Sequence, residues 1–150
     1  MKPVGPTRVR DLVWAAVLAG VPAYVLVRGY YGRLPALPWT PSLALTVLAA
    51  FEGGTARSTR ARIARRSGTQ PVEPLVVARL VALAKASALV GAILVGGWAG
   101  AFGFTLGARD RLAAAGRDAV VSGVGLFVAL ALVGAALWLE QACRAPEPPD

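Results

Sequence analysis

Lys85 stands in a run that otherwise reads as apolar helix, ARLVALAKASALVGAILVGGWAGAFGF, from Ala78 to Phe104. An ammonium group surrounded by lipid is costly unless it has a partner or a task, so this is the first place where the chain could do chemistry. If the helix enters a bilayer at about Leu75, Lys85 lies roughly 15 Å deep, near the middle of a ~30 Å hydrocarbon core. Glu52, measured from Pro41 at the opposite surface, reaches a similar level. The two residues predict an ion pair that fixes helix register, or two side chains that snorkel separately. A proton relay or an anion-binding site is the functional alternative.

The other ionisable candidates lie nearer the surface. Arg79 is only about 6 Å inside the same boundary, close enough for its guanidinium to reach headgroups, and Glu140 at the corresponding end of the last apolar block is its expected neighbour. Lys85 and Ser87 spell a Ser/Lys dyad, but two residues on a helix point about 200° apart and do not face each other. The stretch GGWAG has neither the preceding strand nor the Lys-Ser/Thr ending of a phosphate loop. The chain has no histidine, and Cys143 is its single cysteine. The ligand sets of zinc, haem and iron–sulfur sites therefore cannot be assembled within one chain, and Cys143 has no histidine to activate it. No cofactor is expected, and the pattern points away from an enzyme.

These residues are carried by long apolar blocks. Of the 150 residues 56% are hydrophobic, and the mean hydropathy is +0.59, too apolar for an ordinary soluble domain. The reading is all-α: a single integral membrane domain with four transmembrane helices at about 12–31, 41–58, 75–104 and 119–139. The first block could alternatively be a signal peptide, since Lys2, Arg8 and Arg10 precede it and Val21-Pro22-Ala23 is a tolerable cleavage site. Its length and its tyrosines, Tyr24, Tyr30 and Tyr31, favour an uncleaved span. Thr40 followed by Pro41 predicts the start of the second helix.

The net charge of +8 would raise nucleic acid as a partner, but the charges sit at the ends of the apolar blocks. Lys2, Arg8 and Arg10, then Arg57, Arg60, Arg62, Arg65 and Arg66, then Arg144 fall on one side. Arg28, Arg33, Arg109, Arg111 and Arg117 fall on the other. The positive-inside rule then puts both termini and the arginine loop, residues 57–74, in the cytoplasm of a bacterial cell. Trp14 and Trp138 would mark the cytoplasmic boundary, and Tyr30, Tyr31, Trp39 and Trp98 the outer one. The loop has no aromatic residue for base stacking, so anionic lipid headgroups are its expected partner, with a docking protein as the alternative. Residues 143–150 read as a disordered tail.

Small residues crowd the third block. Gly96 and Gly100 form a GxxxG, and Ser87 and Gly91 have the same spacing, which predicts close approach of another helix. Gly91, Gly96 and Gly100 are expected to serve packing within the chain, with homo-oligomer contact as the alternative.

The run VEPLVVARLVALAKASALVGA, with STRARI, TRVRDL and the closing WLEQACRAPEPPD, resembles the actinobacterial membrane proteins catalogued as domain of unknown function 3180. That resemblance implies a four-helix membrane protein, often encoded beside folate-biosynthesis genes, and offers no catalytic residues to carry over. The functional expectation is a non-enzymatic interaction or structural protein working through its arginine-rich loop and small-residue helix. The alternative is a small oligomeric transporter with Glu52 and Lys85 at an intramembrane site.

Overall fold

Each apolar block folds as a helix, and the residues between the blocks set its ends. The computed structural model describes residues 7–63 and 74–143, among which there are four α-helices and no strand. They are α1 (Val9–Tyr30), followed by a short 3-10 turn at Tyr31–Arg33, α2 (Thr40–Ile63), α3 (Pro74–Ala108) and α4 (Ala115–Ala142). In α1, Asp11 in the first turn and Arg28 in the last both complement the helix dipole. α2 starts at Thr40 with Pro41 in its first turn, where proline's missing N–H is no loss.

Two elements are longer than their sequence signals. α2 does not give way to loop near Ser58 but continues to Ile63, so Arg57, Arg60 and Arg62 are helical. Arginine is a good helix former, and cations in a last turn are favoured by the helix dipole. α3 runs unbroken through Gly96 and Gly97 for 35 residues, about 52 Å and well beyond a bilayer core. Arg65, Arg66 and residues 144–150 of the tail lie outside the described residues.

By length and composition three helices can cross a membrane: α1 with its following turn, α3 and α4. The expectation of four such spans is met by three. α2 is long enough at 24 residues, but Glu52 and the arginines from Arg57 onward interrupt its apolar character.

α3 and α4 form the central pair, with α1 packed on α3 and α2 packed on α4. Small residues make the first two contacts close. A Cβ on Gly96 would collide with the backbone of Ala16, and one on Gly100 would lie 2.5 Å from the Gly20 carbonyl oxygen and 2.7 Å from the Tyr24 nitrogen, both on α1. Gly91 faces the other way, 2.8 Å in the same sense from Val133 of α4. Trp98, expected near an outer boundary, is turned towards a neighbouring helix. It packs across α3 and α4 over Gly125, where a Cβ would stand 2.5 Å from the indole.

Candidate functional site

The buried face of α2 is a single stripe, Ser42, Leu45, Glu52, Ala56 and Thr59, whose spacings keep them on one side of a helix. Leu45 meets Ala129 and Leu132 of α4. Farther along, Ala56 meets Ala84 of α3 and Leu139 of α4. Glu52 sits between these two contacts with 0% of its surface exposed. Neither of its carboxyl oxygens has a hydrogen-bond partner, and Ser42 Oγ is also buried and unpartnered. The Ser87 hydroxyl lies beside Glu52 without reaching hydrogen-bond geometry.

No ion pair joins Glu52 to Lys85 among the described residues. Lys85 is half-buried and makes interactions of its own. The reason lies in α3: Ala84, Ser87, Ala88 and Gly91 are its buried positions in this stretch, and Lys85 points about 200° away from Ser87. Arg79 is exposed, and no ion pair joins it to Glu140. Glu140 is 5% exposed and accepts the Thr7 backbone N–H at 3.0 Å, which ties the start of the described chain to the end of α4.

Sequence reasoning missed Asp118, a buried acid that accepts two hydrogen bonds. It lies in the first turn of α4, where a carboxylate also complements the helix dipole. Tyr31 Oη donates to Oδ2 at 2.7 Å, and the Leu37 backbone N–H donates to Oδ1 at 3.3 Å. The Tyr31 ring in turn packs on Phe104 of α3, with centroids 5.2 Å apart. This cluster fastens the α1–α2 connection to α3 and α4. The one signal for it was an acid in an arginine-rich connection, between Arg117 and the start of an apolar block. A second polar tie, Thr105 to Ser122 at 3.2 Å, is buried between α3 and α4.

Arg57, Arg60 and Arg62 are all exposed on the last turns of α2, and none has an ion pair among the described residues. Cys143, just past α4, is buried, and burial pushes its thiol up from the ordinary value of 9.0. The described residues hold no group of three or more histidine, cysteine, aspartate or glutamate side chains that could take a metal ion.

The class defined by these features is an all-helical protein built around membrane-length apolar helices, with acids buried between them. The chain belongs to the family described as protein of unknown function (DUF3180), whose model matches residues 12–147. No curated protein and no solved structure matches it.

Proposed function

We propose that all four helices cross the plasma membrane of a bacterium, with both ends of the chain and the arginine-rich end of α2 in the cytoplasm. In this reading the protein acts by contact with lipid or protein and not by catalysis. The observation that carries it is the placement of α2. Its buried stripe follows α4 from Leu132 to Leu139, so α2 shares the depth of an apolar helix despite its own polar residues. That packing supports a crossing that ends in three exposed, unpaired arginines. Each cation near an anionic surface contributes about 1 kcal/mol of attraction.

The test is crosslinking in the native membrane followed by mass spectrometry, on wild type and on a variant with Arg57, Arg60 and Arg62 changed to Gln. A protein or anionic lipid recovered with wild type and lost from the variant supports the reading. Identical recoveries from both would remove the arginines from the contact.

One observation favours a second reading, a small oligomeric transporter: the Glu52 carboxyl is fully buried between helices with no hydrogen-bond partner. Ionisable groups in such places often serve ion or proton pathways. Flux in proteoliposomes that is abolished by Glu52→Gln would support it, and flux indifferent to that change would remove Glu52 from the pathway.

A further inference from the structure

Between the outer ends of α1 and α3 lies a cleft of about 490 Å³ lined by Arg28, Arg111, Tyr24 and Phe104. The two arginines have no hydrogen bond or ion pair among the described residues. Gly107 also lines the cleft, and a Cβ there would meet nothing within 4 Å. An almost wholly apolar groove of about 440 Å³ continues along the same two helices, past Val17, Val21 and Ala99, and Tyr24 lines both cavities. Phe104 holds the Tyr24 ring edge to face, with centroids 6.4 Å apart at the junction.

We infer that this cleft and groove together bind one anionic phospholipid, its phosphate between Arg28 and Arg111 and an acyl chain in the groove. The assignment rests on the reading that α1 and α3 cross the bilayer. The site repeats the polarity of such a lipid: paired positive charge at the level of the helix ends, hydrocarbon immediately beneath, and one side chain joining the two. Guanidinium groups are suited to phosphate because their donors match two of its oxygens at once. A soluble anion would leave the groove unused, and a zwitterionic lipid would leave the arginines less well compensated.

The test titrates phosphatidylglycerol onto the purified full chain in neutral detergent and counts bound lipids by native mass spectrometry. Phosphatidylcholine with the same acyl chains and free glycerol phosphate form the comparison arms. Wild type retains one phosphatidylglycerol with at least about tenfold preference over phosphatidylcholine, while glycerol phosphate does not bind. If each arginine contributes about 1 kcal/mol, Arg28→Gln with Arg111→Gln weakens retention about thirty-fold. Gly107→Leu fills the cleft and also blocks it, and Arg109→Gln, a charge change on the neighbouring surface, has no effect. Unchanged helical circular dichroism checks the fold of each variant, and the arginine pair decides the matter should Gly107→Leu fold poorly.

Equal retention of both lipids, equal binding of glycerol phosphate, or an equal loss with Arg109→Gln overturns the proposal. In proteoliposomes, Val17→Cys in a Cys143→Ser background separates the two ways of failing. Labelling of Val17→Cys by a water-soluble maleimide overturns the membrane reading as well. Protection there combined with unselective lipid binding overturns the lipid site alone.

Discussion

Glu52 and Asp118 are both acids on the buried face of a helix, and they differ in what they touch. Asp118 accepts two hydrogen bonds from the α1–α2 connection, whereas Glu52 accepts none. Hydrogen bonds to charged groups contribute about 1.5–3 kcal/mol each, and an unsatisfied buried polar group costs a similar amount. Tyr31→Phe is therefore expected to lower the unfolding free energy by about 1.5–3 kcal/mol, and Glu52→Met to raise it by about 1–3 kcal/mol. Denaturant titration in micelles measures both, and a loss of stability with Glu52→Met would show that the carboxyl has a partner after all. Cys143 gives a pH-dependent expectation. Because burial raises its thiol pKa in the folded state, its contribution to stability is fully present below the ordinary thiol range and is lost as pH rises towards the folded value. Iodoacetamide should accordingly modify it slowly at pH 7 in the native protein and readily after unfolding. That Lys85 and Glu52 each lie well inside a long helix was legible from counting residues along the runs. Their failure to pair was not, because pairing depends on helix rotation, and rotation about α3 is fixed by which small residues α4 accepts.

At the scale of elements, the glycines of α3 have separate duties. Gly96 and Gly100 admit the backbone of α1, Gly91 faces α4, and nothing lies within 4 Å of a side chain at Gly97. Gly100→Ala should lower stability by about 1–3 kcal/mol through overpacking, while Gly97→Ala should be neutral or add up to about 1 kcal/mol of helix propensity. Equal effects at both positions would mean that α1 does not rest on this seam. The GxxxG spacing announced a close approach, and it could not name α1 as the helix that approaches. The inward turn of Trp98 was hidden for a related reason. An aromatic residue near the end of a long apolar helix suits an interfacial belt, and only the gap left by Gly125 on α4 turns it inward. The end of α2 was misplaced because arginines signal both a cytoplasmic loop and a good helix terminus, and the helix took the first three.

For the molecule as a whole, α3 and α4 are the spine, and α1 and α2 flank it on different partners. That arrangement would let α2, which composition alone does not mark as a span, lie at membrane depth: Ser42, Glu52 and Thr59 are on its buried face, and its arginines are gathered at one end. The all-helical, membrane-directed character of the chain was plain from its hydropathy, whereas the order of the helices was not, since any of the small-residue faces could have met any other. The central claim is that α2 crosses the membrane, and single-cysteine accessibility in intact cells tests it most directly. In a Cys143→Ser background, cysteines replace Gly32 before α2, Arg60 near its end and Gly116 at the start of α4. An impermeant maleimide should label Gly32→Cys and Gly116→Cys from outside, and Arg60→Cys only after the membrane is permeabilised. Labelling of Arg60→Cys from the same side as Gly32→Cys would contradict the account, because α2 would then enter no further than the surface.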